Sequence, residues 1–162
     1  MSAVMNNTID TQAVMQLNAH YARCIDNDHL EDWPGFFTED CLYRVTTEDN
    51  HRQGLSAALI YADSRAMLGD RILSLRRANV YERQRYRHLL GMPALLDETP
   101  QGRHCETPFL VFRIMRTGET SVFASGRYID RLVIDADGEL RIAQRDVVCD
   151  SHAIDTLLAI PL

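Results

Sequence analysis

Between His104 and Cys149 the side chains adopt a period of two and keep it. Phe109, Val111, Arg113 and Met115 alternate with Leu110, Phe112 and Ile114. The same alternation runs through Thr120–Asp135 and again through Glu139–Cys149. Period-two alternation of this length reads as strand. The joins are short: Thr117-Gly118-Glu119, then Asp137-Gly138, a dipeptide suited to a two-residue hairpin turn. Three long strands joined by tight turns make an antiparallel meander, which excludes both a helical bundle and an all-parallel sheet. Gly126 lies in the middle of the second strand and predicts a bulge or bend there.

The first half has a different rhythm. Val14, Leu17, Tyr21 and Cys24 or Ile25 form one stripe on a helix ending near Asp26, with Asp10 or Thr11 as its cap. Asn27-Asp28 signals a turn, and Leu30–Phe37 a short helical segment with Pro34 in its first turn. Cys41–Thr46 alternates as a strand, and Glu48–Gly54 reads as a polar loop. Helical spacing returns from Leu55 to Ala78 through Leu59, Asp63 or Met67, Leu68, Ile72 and Leu75, with Gly69 as a break between two helices. Arg85–Met92 is a further strand, Pro93–Arg103 a long loop, and Asp150–Leu162 a short tail with an apolar end. Helices first and strands after place the chain in the α+β class. A bent sheet wrapped over the long first helix would bury both stripes. Residues 1–9 are expected to be a loose arm, and 10–162 a single domain, as the length of 162 residues suits.

Charge narrows the choice of partners. Seventeen basic against 23 acidic residues leave −6, so neither nucleic acid nor an anionic membrane is expected to bind. Every basic residue is Arg, which removes Schiff-base and Lys-nucleophile chemistry. The first basic residue is Arg23 and the longest apolar run is Ala57–Ala62, so neither a targeting signal nor a membrane span is expected. Cys24, Cys41, Cys105 and Cys149 form no Cys-x-x-Cys pair and read as free thiols in a reducing cytoplasm.

The motifs for chemistry are fragmentary. His104-Cys105-Glu106 with His152 imitates a two-His, one-carboxylate iron triad, but three residues are too short a pattern to carry it. Cys149-Asp150-Ser151-His152 is half of a Rieske pattern, and the Cys-x-His half does not occur. There is no nucleophile elbow, phosphate loop or dinucleotide fingerprint. No metal, cofactor-binding or catalytic residue is therefore assigned. Acid–base chemistry has one candidate group: His88 lies mid-strand, and Tyr21, Asp26, Tyr43 and Asp130 are placed to converge on it. Arg85, Arg87, Arg113, Arg127, Arg131, Arg141 and Arg145 lie within strands. A desolvated Arg needs a carboxylate, so Arg87, Arg113, Arg127 and Arg131 are the candidates for a subunit interface.

Four long words carry a resemblance: WPGFFTEDCLYRV (33–45), DNHRQGLSAALIYADSRAMLGDRI (49–72), NVYERQRYRHLLGMP (79–93) and TPFLVFRIMRTGETSVFASGRYIDRL (107–132). With the order of elements, they resemble the small (beta) subunits of Rieske-type aromatic-ring-hydroxylating oxygenases over about residues 12–162. Within that family the chain is most similar to subunits of oxygenases acting on aromatic carboxylates, salicylate (giving gentisate) ahead of terephthalate. The resemblance implies an NTF2-like cone with a curved sheet around N-terminal helices. It implies a non-catalytic structural subunit in a hexamer of three large (alpha) and three small subunits, with contacts between small subunits. The Rieske [2Fe-2S] cluster and mononuclear Fe(II) then lie in the large subunit, with electrons from NAD(P)H through a reductase and ferredoxin. Two other readings stand beside it. One is an autonomous cone-fold hydratase or isomerase using His88 and Asp26, resembling scytalone dehydratase or ketosteroid isomerase. The other is a small-molecule binding module.

Overall fold

The computed structural model describes residues 8–78, 83–153 and 158–162. Helix α1 (Thr11–Asp26) starts at Asp10, whose carboxylate accepts the Ala13 N–H at 2.8 Å. Its buried face carries Val14, Leu17, Tyr21, Cys24 and Ile25, the stripe expected from spacing. It stops at Asn27, and Asp28 takes the left-handed conformation (φ 62°) common just past a helix end. A short 3₁₀ helix, Trp33–Phe36, holds Pro34 in its first turn. Ile9 is buried, so packed structure begins inside the expected arm, whose residues 1–7 lie outside the described residues.

One mixed sheet follows. Its strands are β1 (Phe37–Thr47), β2 (Ile60–Ala62), β3 (Gln84–Leu90), β4 (Ala94–Thr99), β5 (Gly102–Met115), β6 (Thr120–Ile134) and β7 (Leu140–Cys149). Their order is β2-β1-β7-β6-β5-β3, with β4 also on β5. The meander β5–β6–β7 is present with both expected turns, at Gly118 (φ 91°) and Gly138 (φ 84°). The pairing of β1 with β7 is parallel, and it sets Arg44 directly against Asp146. The two join through a two-pronged ion pair of 2.7 and 2.8 Å, which pins the register.

Several expectations fail. The polar loop after β1 is a helix, α2 (Glu48–Arg52), capped by the Thr47 hydroxyl. The expected helix from Leu55 onward is only α3 (Arg65–Arg77), capped by Ser64 and unbroken at Gly69. Its buried residues are Leu68, Ile72 and Leu75, whereas Leu59 is exposed just before β2. The Pro93–Arg103 loop contains β4, which folds back on the start of β5. Gly126 is not at a bulge, since the register shifts fall at Val111/Phe112 and Arg131/Leu132. Instead, a Cβ there would overlap the Val148 carbonyl on β7, so glycine permits the close approach of two backbones.

The core lies between the sheet's inner face and α1. Trp33 is fully buried and packs edge-on against Phe37 and Tyr43, with ring centroids 5.5 and 5.1 Å apart. The apolar end of the chain is core rather than tail. Leu158, Ala159, Ile160 and Leu162 are buried, and the Leu162 carbonyl accepts from the Tyr21 and Tyr43 hydroxyls at 2.7 and 3.0 Å.

Candidate functional site

His88 sits on β3 with its side chain fully covered. Its Nδ1 lies 2.6 Å from Asp26 Oδ1, and its backbone N–H donates to Asp26 Oδ2 at 2.9 Å. Asp26 is the last residue of α1, where the helix dipole disfavours a carboxylate. The two bonds from His88, with Arg87 Nη1 at 3.9 Å, offset that. A neutral ring bonded this way carries its proton on Nδ1, leaving Nε2 as an acceptor. Nε2 is buried without a partner among the described residues. A groove of about 360 Å³ beside α1 is lined by Asp26, Arg87, His88 and Leu89, but the imidazole itself has no exposed surface. The dyad therefore has the composition of an acid–base pair with a covered ring, and its two bonds tie the end of α1 to β3.

The other residues expected around His88 gather elsewhere. Arg145, on the inner face of β7, bonds Asp130 through Nε at 2.8 Å and Nη2 at 2.7 Å. Nη2 also reaches Asn18 Oδ1 at 2.7 Å, and Asn18 in turn donates to Thr107. The guanidinium lies between the rings of Tyr21 and Tyr128, at 4.3 and 4.0 Å from their centroids. Burial pulls the Arg145 pKa down, but the charge and hydrogen bonds of Asp130 outweigh it and hold the guanidinium above its ordinary value. Burial pushes the Tyr21, Tyr43 and Tyr128 phenols upward, so none is a neutral-pH base. Tyr21 and Asp130, expected at His88, surround Arg145 instead. The signal was present: Arg145, Val147 and Cys149 share one face of β7, so the arginine stands on an apolar side.

The four interface candidates fall into two groups. Arg87, Arg127 and Arg131 pair in register with Phe112, Pro108 and His104 and point away from the core. Of these, Arg127 meets Glu48 at 2.6 Å and Glu106 at 3.5 Å, and Arg131 donates to the Gln101 carbonyl. Arg113 instead pairs with Tyr86 on the core side and lies 5.1 Å from the Phe123 centroid. The outward face beside the arginines is partly apolar, with Leu110, Phe112 and Ile129 on adjacent strands.

Metal-binding geometry is absent among the described residues, where no three His, Cys, Asp or Glu side chains gather. His104 pairs with Asp97 at 3.2 Å, Glu106 with Arg127, and His152 is exposed near the chain's end. These residues do not fit a Rieske cluster or an iron triad. All four cysteines are buried free thiols. Burial pushes Cys24 and Cys41 to about 11, and Cys105 and Cys149 to about 12. Among the described residues no helix is long and apolar enough to cross a membrane.

Comparison with known proteins matches this geometry to a family. A family model described as ring hydroxylating beta subunit matches residues 20–156. The beta 1 subunit of the terephthalate 1,2-dioxygenase terminal oxygenase component of Comamonas sp. is 53% identical over 149 residues, covering 92% of this chain and 96% of that protein. The anthranilate 1,2-dioxygenase small subunit of Burkholderia cepacia is 36% identical over 149 residues, 92% of each chain. A crystal structure from Novosphingobium aromaticivorans, assigned as the beta subunit of an aromatic-ring-hydroxylating dioxygenase, superposes with a TM-score of 0.85. It is 38% identical and the match covers 94% of this chain and 96% of that one.

Proposed function

Because the chain belongs to the ring-hydroxylating beta-subunit family, we propose that it is the structural subunit of an oxygenase acting on an aromatic carboxylate, with terephthalate ahead of salicylate. Membership makes it the small subunit of a terminal oxygenase component, with a large subunit as partner. The order of the two substrates reverses the one expected from the sequence, on the strength of the 53% identity to a terephthalate 1,2-dioxygenase subunit.

The observation that carries the structural role is the packing of the interior among the described residues. Between α1 and the inner face of the sheet, Arg145, Asp130, Tyr21 and Tyr128 are in mutual contact, and the Leu162 carbonyl accepts from two tyrosine hydroxyls. That packing supports a scaffold over the hydratase, isomerase or binding-module readings. In the proposed assembly three small subunits associate through the outward face bearing Arg87, Arg127 and Arg131, and join three large subunits in the cytoplasm. The large subunit supplies the Rieske cluster and mononuclear iron, which activate oxygen. Ferredoxin and a reductase deliver electrons from NAD(P)H. This chain's part is to hold the large subunits in register.

The test is co-expression with a large subunit of the same family of oxygenases. We expect an equimolar, threefold-symmetric hexamer in sedimentation that consumes terephthalate when supplied with reductase and NAD(P)H. A small subunit that stays monomeric and ignores the large one would overturn the reading, as would substrate turnover by this chain alone.

A further inference from the structure

The arginines of this chain are unevenly neutralised. Arg44, Arg76, Arg127, Arg141 and Arg145 each hold a carboxylate at 3.0 Å or closer. Arg83, Arg85 and Arg116 hold none among the described residues, and all three are exposed. They are also neighbours. The Arg116 N–H donates to the Arg83 carbonyl at 3.1 Å, and Arg85 sits one turn of the pleat further along β3, opposite Ile114.

All three line one cleft of about 1040 Å³ at the end of the β3–β5 pair, together with Arg76. Two carboxylates face the same cleft, and both are engaged. Asp28 is held by Arg76 at 2.9 Å and Asp26 by His88 at 2.6 Å. A protein of net charge −6 thus gathers three uncompensated guanidiniums in one concavity. Like charges set together repel, and an anion bound among them removes that cost.

We propose that this cleft seats an acidic segment of the large oxygenase subunit, its Asp and Glu carboxylates paired with Arg83, Arg85 and Arg116. The inference rests on the reading that this chain docks on a large subunit. A polypeptide fits better than a small aromatic anion for two reasons. Ile25, Tyr86 and Ile160 are only 3–6% exposed and Ile114 and Met115 are half-buried, so the exposed lining is made by the arginines rather than by an open apolar face on which a ring can stack. The volume is at or above the upper end of ordinary small-molecule pockets, about 300–1,000 Å³. Guanidinium forks are the side chains suited to carboxylates at an interface.

The experiment measures affinity of the full-length chain for the purified large subunit at low and high salt. The charge-reversed R83E/R85E/R116E variant should bind at least about tenfold more weakly, with a flatter salt dependence than wild type. Reversal at Arg71, on α3 away from the cleft, should leave affinity within about twofold. The neutral R83Q/R85Q/R116Q variant guards against a folding defect, and with a wild-type melting temperature it should show the same direction of loss. Equal affinity and equal salt dependence in both triple variants would overturn the cleft proposal while leaving the structural-subunit reading intact. Failure of the wild-type chain to bind the large subunit would instead remove that reading. Loss of self-association with unchanged affinity for the large subunit would also overturn the proposal, since the occupant would then be a second copy of this chain.

Discussion

Arg145 and Asp130 meet through two hydrogen bonds, 2.8 and 2.7 Å long, where neither side chain reaches solvent. Two charges have left water, and their attraction repays the loss only while both partners and the surrounding bonds are in place.

Removing one partner should therefore be costly. Asp130→Asn or Arg145→Met strands an unpaired buried polar group or charge, and each should lose about 3–5 kcal/mol in urea unfolding. Replacing both by apolar residues of similar volume should recover most of that. A single-variant loss below about 1 kcal/mol would show that the pair is hydrated or dispensable.

The His88–Asp26 dyad should prove structural. His88→Ala is expected to cost about 1–3 kcal/mol of stability, because Asp26 loses its ring partner. Turnover per intact, iron-loaded complex should change by less than about tenfold, whereas a lost general base costs about 10²–10⁴. A thousandfold drop in a fully assembled complex would assign the dyad to the chemistry.

Buried thiols with pKa values of about 11 to 12 present almost no thiolate at neutral pH. The native chain should resist a charged thiol reagent, and denaturation should release all four cysteines to it. Rapid modification of any one in the native state would contradict its burial.

Stability should decline on the acid side. The Arg127 hydrogen bond holds Glu48 below its usual 4.5, and the Arg76 hydrogen bond does the same for Glu31. Backbone N–H groups, that of Glu139 foremost, hold Asp135 below 3.8. A carboxylate with a lowered folded pKa binds fewer protons folded than unfolded, so its contribution is complete above the unfolded value and fades as pH falls through the folded one. The denaturation midpoint should hold steady down to about pH 5 and then fall, with a shallower fall in Arg127→Gln. The slope is small because these groups are near the surface, and salt should reduce it. An identical acid limb in the variant would disprove the assignment to Glu48.

Gly126→Ala should damage the fold more than an ordinary surface change. Its methyl would collide with the Val148 backbone, which cannot rotate away as a flexible side chain could. A loss of about 1–3 kcal/mol or more is expected, read as a lowered melting temperature. A wild-type melting temperature would mean that β6 and β7 separate more easily than the close approach implies.

The sequence revealed those elements whose neighbours are local. The α1 stripe, the 3₁₀ turn at Pro34 and the β5–β6–β7 meander follow from spacing and turn residues within each segment. β4 was hidden because only Leu95 of its pairs faces the core, so ALLDET shows no alternation. β2 is three residues long, too short to display a period. Of the site, Asp26 was legible as the partner of His88, since an acidic residue at a helix end stands out. Arg145 is marked by its place on the apolar face of β7, but its partners are not, because the cluster joins Asn18, Asp130 and Arg145 from three separate elements. No spacing rule spans such distances.

The parallel seam of β1 and β7 joins residues such as Arg44 and Asp146, 102 positions apart along the chain. The sheet cannot close around α1 until its final strand has left the ribosome, so synthesis exposes the apolar stripes of the first half for most of its duration. Contacts of such long range slow folding and lengthen the time during which unpaired edges can aggregate. Expression yield should therefore respond to temperature and chaperone supply more than to codon choice early in the message, and circular permutation that makes β7 and β1 consecutive should speed refolding.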